Sequence, residues 1–425
     1  MPKRPILPAD GLLPDPYGAH EMPIYQTSTF TFERAADAAA RFAGEAPGFV
    51  YTRIGNPTVA RWEAKVAALE SEGTGREAAA LAFGSGMGAV SAAVLACVEQ
   101  GDHVVAVRPL YGGTTELFLE VLPRLGVTVT QVRAGDLPKG LEAAARRPRT
   151  RLLVVETPAN PTLDIVDLKH AAAVAKAAGA RLMVDNTFAT PVLQKPLGFG
   201  ADLVIHSSTK YLGGHGTVVG GVVVSADREL LAGRVNQMKK VLGSVPSPFD
   251  AWLLLQGVKT LRLRIERESH TARRLAGELA QHKLVEWVRY PGLVDDPGHE
   301  IASRQMLGFG AMIAFGIRGG AEAGRRFLDA LTVCRRAVSL GCTDTLVEHP
   351  ASMTHAHVSR DERAAAGITD GLIRISVGLE SPEELERDLL GALDRASRPQ
   401  RGSGAPSRSP RAGSQRAPSR RTPRS

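Results

Sequence analysis

The strongest constraint on this chain is where its unusual residues fall relative to its apolar runs. Ala78–Phe83 is a short apolar run, followed at once by Gly84-Ser85-Gly86-Met87-Gly88 and then by a helical stretch, Ala89–Val98. His103–Val107 leads into Pro109-Leu110-Tyr111-Gly112-Gly113. Leu152–Val155 leads into Glu156-Thr157-Pro158-Ala159-Asn160-Pro161, Leu182–Val184 into Asp185-Asn186-Thr187, and Leu203–Ile205 into His206-Ser207-Ser208-Thr209-Lys210. Val222–Val224 is a further run. Runs of β-formers separated by helical stretches predict βαβ units and a mainly parallel sheet. Between two of them, 167–179 reads as a helix, with Asp167 as N-cap, an alanine-rich body and Gly179 as the stop.

In every case the polar residues come after the run. The ligand crevice of an open parallel sheet lies beyond the carboxyl ends of its strands. Ser85, Tyr111, Glu156, Asn160, Asp185, Ser207, Thr209 and Lys210 are therefore expected along one sheet edge, although they are far apart in sequence.

That set has a chemical meaning. A glycine-rich turn opening a helix offers free N–H groups and a positive helix end, which suit a phosphate. Ser207 and Thr209 add hydroxyls, and Lys210 places an amine beside them. Asp185 can keep a ring nitrogen protonated, and Tyr111 offers a flat face for stacking. A phosphate, a protonated ring, a stacking partner and a Schiff-base lysine together describe pyridoxal phosphate. A dinucleotide turn fits less well, because Gly84, Gly86 and Gly88 are spaced G-x-G-x-G rather than G-x-G-x-x-G. The turn also lacks the Gly-Lys-Ser/Thr ending of a P-loop.

Charge separates the ends from the body. The chain has 425 residues and a net charge of +8, and the eight arginines of 396–425 account for all of it. That Ser/Pro/Arg/Gly tail is expected to be disordered. A nucleic-acid contact through it is the secondary reading, an unselected basic extension the primary one. The remaining length exceeds one typical domain. Three cysteines, Cys97, Cys334 and Cys342, form no Cys-x-x-Cys pair. Neither a disulfide framework nor a metal site is expected, and a reducing cytoplasm is. No signal peptide and no membrane span of roughly 18 apolar residues is read.

The sequence resembles the trans-sulfuration (Cys/Met metabolism) family of pyridoxal-phosphate enzymes. This family includes methionine γ-lyase, cystathionine γ-lyase, cystathionine γ-synthase and O-acylhomoserine sulfhydrylase. The likeness runs from Pro23-Ile24-Tyr25-Gln26-Thr27 to Leu390. It rests on Tyr51-Thr52-Arg53-Ile54-Gly55-Asn56-Pro57-Thr58, Ser85-Gly86-Met87, Glu156–Pro161, Val184-Asp185-Asn186-Thr187, Ser207–Tyr211, Met353-Thr354-His355 and Arg374–Glu380.

The resemblance implies an α/β, aspartate-aminotransferase-like fold of type I. It would have a large domain with a mainly parallel seven-stranded sheet and a smaller C-terminal α/β domain. The expected division is an N-terminal arm over 1–58, a cofactor domain over 59–250, a C-terminal domain over 251–395 and the tail over 396–425. One linking helix is expected from Trp252 to Ala280, and a last helix from Ser381-Pro382-Glu383-Glu384 to Arg395.

The resemblance also implies roles. Lys210 holds the cofactor and moves protons, Asp185 pairs with the pyridine nitrogen, and Tyr111 stacks on the ring and serves the leaving group. Asn160 bonds the ring oxygen. Gly86, Met87, Ser207 and Thr209, with Ser85 opening the turn, hold the phosphate. Arg374 binds the substrate carboxylate, with Ser339 as a backbone contact and Tyr51 nearby. Tyr51 and Arg53 reach into the neighbouring subunit's site, so a homodimer or a homotetramer is expected.

The implied reaction is γ-elimination on methionine, homocysteine or cystathionine, giving 2-oxobutanoate, ammonia and a thiol. The alternative is γ-replacement on O-acetyl- or O-succinylhomoserine. A non-catalytic protein acting through its tail is a distant third. Local features divide among the subgroups. The 30–49 stretch is closest to methionine γ-lyase, 242–248 to cystathionine γ-lyase, and 210–217 to the sulfhydrylases. Gly113 stands where methionine γ-lyases carry cysteine, and Lys240 where they carry an acid. Asp344 is a shorter side chain where cystathionine enzymes often place Glu, and Cys342 sits in the same loop.

Overall fold

The computed structural model describes Asp15, residues 17–356 and residues 358–396. The tail expected over 396–425 lies, beyond Ala396, outside the described residues.

Among the described residues, one sheet has seven strands. These are β1 (Ala79–Phe83), β2 (His103–Arg108), β3 (Thr128–Arg133), β4 (Thr150–Glu156), β5 (Arg181–Asp185), β6 (Leu203–His206) and β7 (Gly221–Ser225). Their order is β1-β7-β6-β5-β4-β2-β3. Strands β6, β5, β4, β2 and β3 pair in parallel, and β7 pairs antiparallel with both β6 and β1. The mainly parallel sheet is therefore present, and β7 is its one reversed strand.

Successive side chains of a strand point to opposite faces, and here both faces are covered. Val105, Val107, Leu153, Val155, Val184 and Val204 belong to one core. Their chain neighbours Val104, Ala106, Leu152, Val154, Met183 and Ile205 belong to another, on the far side. That explains why these strands read as continuous apolar runs rather than alternating ones. Strand β3 escaped the sequence reading. Thr128, Thr130 and Gln131 interrupt its apolar character, because it is an edge strand with only Val132 buried.

A second sheet contains β8 (Val285–Arg289), β9 (Met312–Ile317), β10 (Arg335–Arg336), β11 (Leu346–Glu348) and β12 (Leu372–Ser376), in the order β10-β11-β12-β9-β8. Its buried Ile313, Phe315, Val347, Ile373 and Ile375 join the first of the two cores, so that core spans both sheets.

The linking helix is not continuous. It divides into Pro248–Val258 and Leu261–Gln281. Just before the break, Gly257 packs so closely that a Cβ there would come within 2.1 Å of the Gly213 carbonyl oxygen. The Gly257 carbonyl is drawn to the side chain of Arg264 (Nη2, 2.9 Å), and Thr260 leaves the helical region at φ −104°, ψ 6°. The helix over 167–179 forms as read, with Asp167 accepting from His170 N–H at 2.9 Å and Gly179 at φ 64°. The last helix runs Pro382–Ala396. No helix among the described residues is long and apolar enough to cross a membrane.

Candidate active site

The carboxyl ends of the parallel strands meet as the topology requires. After β1, Ser85 caps the helix Gly86–Cys97 by accepting from Gly88 N–H at 3.0 Å. The first N–H groups of a helix have no partner within it. Here they open beside the turn that follows β6. A Cβ on Gly86 would sit 2.9 Å from Cβ and Oγ of Ser207, and one on Gly221 only 2.1 Å from the Ser85 carbonyl oxygen. Only glycine permits three segments to close this tightly, and the resulting cradle of N–H groups and a hydroxyl suits a phosphate. Thr209 secures the same turn, since its Oγ accepts from Gly220 N–H at 3.0 Å.

Asp185 ends β5. Its carboxylate accepts from Thr187 N–H at 3.0 Å and from the Thr187 hydroxyl at 2.5 Å. The Thr187 hydroxyl oxygen in turn accepts from Ser207 N–H at 2.9 Å, tying the ends of β5 and β6. Burial raises the Asp185 pKa, while the Thr187 bonds and nearby His206 oppose that rise. An acid buried in this way has much to gain from a cationic partner.

Glu156, at the end of β4, receives two backbone donors. Tyr111 N–H and Asn160 N–H each donate to it at 2.8 Å. Burial first and Asp185 second push its pKa up to about 8, against those two bonds and Arg374. The Tyr111 ring is half exposed. Gly113 lies beneath it, so close that a Cβ would be 3.0 Å from Tyr111 Cε1 and 3.1 Å from Met87 Sδ. A cysteine at 113 would displace one or the other.

Lys210 is mostly buried, and its Nζ donates to the Ser339 hydroxyl at 2.8 Å. Burial, with a smaller push from Arg374, lowers its pKa to about 8. Ser339 holds φ at 96°, a conformation that costs a non-glycine residue energy and is concentrated at functional sites. Its carbonyl accepts from Arg374 Nη2 at 2.6 Å. Arg374 Nη1 donates to Asn160 Oδ1 at 2.6 Å and pairs with Glu348 at 3.1 Å. Among the described residues, Arg374 Nε is buried and has no hydrogen-bond partner.

Lys210, Ser339, Arg374, Asn160, Glu156 and Tyr111 thus form one connected network, and Ser85, Gly86, Ser207 and Asp185 form a second around the cradle. Tyr51 and Arg53 join neither. The Arg53 guanidinium lies 5.5 Å from the Tyr51 ring centroid and donates to the Lys240 carbonyl at 3.1 Å. Asp344 pairs with Arg335 at 3.4 Å. The Cys342 thiol faces the Asp344 carbonyl at 3.4 Å, with its pKa raised by burial.

Three participants were not legible as such. Thr187 sat in a recognised motif without a role. The resemblance implies only a backbone contact from Ser339, whereas its hydroxyl also accepts from Lys210. Glu348 gave no signal, because only the pairing of β11 with β12 sets it opposite Arg374.

The family model for Cys/Met metabolism PLP-dependent enzymes matches residues 10–394. An L-methionine gamma-lyase of Fusobacterium nucleatum subsp. polymorphum is 47% identical over 386 residues, 91% of this chain and 96% of that protein. An O-succinylhomoserine sulfhydrylase of Pseudomonas aeruginosa is 45% identical over 89% of this chain and 92% of its own length. Among solved structures, cystathionine gamma synthase of Xanthomonas oryzae pv. oryzae superposes with a TM-score of 0.82 at 41% identity, covering 90% of this chain and 94% of that one. The matched span takes in both networks and the cradle, and this chain belongs to the Cys/Met metabolism family of pyridoxal-phosphate-dependent enzymes.

Proposed function

We propose that this enzyme cleaves the γ-carbon–sulfur bond of a sulfur amino acid (methionine, homocysteine or cystathionine). With methionine, one water is consumed, and 2-oxobutanoate, ammonia and methanethiol are released. The observation that carries this reading is the convergence of a desolvated amine, Lys210, with a buried carboxylate anchor, Arg374, on the two sides of Ser339.

The residues fit pyridoxal phosphate. Gly86 and Gly221 leave a cradle that a Cβ would fill, and Lys210 and Asp185 supply the amine and the buried carboxylate. In this reading Ser207, Thr209 and the N–H groups of Gly86 and Met87 hold the phosphate, and Asp185 holds the ring nitrogen. The Asn160 amide, its oxygen already given to Arg374, donates to the ring oxygen. When bound, the cofactor supplies an electron sink that allows protons to leave the substrate's Cα and Cβ and its γ-substituent to depart.

The chain's own groups do the rest. Arg374 receives the substrate carboxylate on its Nε side. Lys210 Nζ, lowered toward neutral pH, takes and returns protons at Cα and Cβ. Tyr111 covers the ring and protonates the leaving sulfur. Glu156 fixes Tyr111 and Asn160 through their backbones.

The reading extends to an oligomer in which Tyr51 and Arg53 complete the neighbouring chain's phosphate site. Beside them, Val241 and Leu242 are 69% and 53% exposed, an apolar surface of the kind that a partner covers. The proposed assembly is a dimer or a pair of dimers. A reducing, cytoplasmic setting is in keeping with the unpaired cysteines at 97, 334 and 342.

The second reading, γ-replacement on an acylated homoserine, is favoured by the likeness to the Pseudomonas sulfhydrylase. A product assay separates the two. Purified enzyme is offered methionine, cystathionine, and O-acetylhomoserine with sulfide. Dominant 2-oxobutanoate from a thioether supports the lyase. Dominant homocysteine from the ester and sulfide overturns it in favour of the transferase.

A further inference from the structure

Glu348 stands directly across from Arg374 in the β11–β12 register. Its carboxylate is 3.1 Å from Nη1, and the two side chains are only 2% and 5% exposed. Burial raises the Glu348 pKa, and Arg374 with Lys210 draws it back toward the ionised form. The guanidinium thus already has a carboxyl partner before any substrate arrives. Its remaining bonds are neutral: Asn160 Oδ1 and the Ser339 carbonyl, each at 2.6 Å. A buried cation paired in this way attracts a second carboxylate less than a lone one does.

We infer that Glu348 is the residue that sets substrate affinity, through a resident negative charge that competes with the substrate's α-carboxylate for Arg374. The class of ligand it acts on is any amino acid with a free carboxylate. It tempers binding of the ground state through the substrate's carboxylate. This rests on Arg374 being the carboxylate anchor.

Three proteins test it, each loaded with cofactor: wild type, Glu348→Gln and Arg374→Gln. Glutamine keeps an acceptor for Nη1 and removes the charge. Calorimetry gives the Kd of norleucine, which has no γ leaving group, and of norleucinamide, which has no carboxylate. Glu348→Gln is expected to tighten norleucine by about tenfold and to leave norleucinamide unchanged. Unchanged or weaker norleucine binding in a folded Glu348→Gln protein overturns the inference, as does equal tightening of both ligands. Arg374→Gln reports on the underlying reading separately. If it leaves norleucine binding intact, Arg374 is not the anchor and the function assignment of that residue fails first.

Discussion

The amine of Lys210 donates to the hydroxyl of Ser339 over 2.8 Å, and Ser339 reaches that position in a left-handed backbone conformation with φ of 96°. The same residue gives its carbonyl to Arg374. One strained serine therefore fixes the distance between the Lys210 amine and the Arg374 guanidinium. Replacing Ser339 by alanine removes only the hydroxyl. A lost hydrogen bond to a charged group is worth about 1.5–3 kcal/mol, so kcat should fall by roughly tenfold or more, with the melting temperature little changed. Steady-state kinetics alongside thermal melting checks this, and an unaltered kcat would deny the hydroxyl a role.

The Lys210 amine should titrate low. In the cofactor-free protein, its reaction with added pyridoxal phosphate should rise with pH and reach half its maximum near pH 8, where the folded value lies, not near the ordinary 10.5. The sign for stability follows from the same shift. Folding favours the neutral amine, so its contribution is present above the unfolded value and is lost as pH falls through about 8. Arg374→Gln removes the secondary cause and should move the midpoint upward. Stopped-flow uptake of the cofactor across a pH series gives both midpoints.

Gly86→Ala should damage the cradle. The new methyl would lie 2.9 Å from Cβ and Oγ of Ser207, and such overpacking costs about 1–3 kcal/mol. The dissociation constant for pyridoxal phosphate, read by fluorescence quenching, should rise by about tenfold or more. Gly112→Ala, where nothing lies within 4 Å of the added carbon, serves as the silent control.

The proposed sharing of sites between subunits makes a prediction about mixtures. Arg53→Ala and Lys210→Ala should each be nearly inactive. Co-expressed with different tags, they should form hybrids with one intact site in two and recover roughly a quarter of wild-type activity. If Arg53 served its own chain, hybrids would contain no intact site beyond those of the parents, and nothing would be regained.

Much of this was legible from order alone. The strand ends that gather Ser85, Tyr111, Asp185 and Lys210 are marked by buried apolar runs, and a run buried on both faces leaves a clear trace. What stayed hidden was set by contacts between distant segments. Glu348 meets Arg374 only because β11 lies beside β12. The break at Lys259–Thr260 sits where Gly257 abuts Gly213 and its carbonyl accepts from Arg264. The exposed edge strand β3 left no continuous apolar run to find.

The central claim is that Lys210 carries the cofactor, and it can be tested covalently. The purified enzyme is saturated with pyridoxal phosphate, reduced with borohydride and digested, and the pyridoxyl label is located by mass spectrometry. The expected result is a single label on Lys210, absent from a Lys210→Ala variant that has also lost turnover. A label on another lysine, or full turnover in that variant, would contradict the site described above.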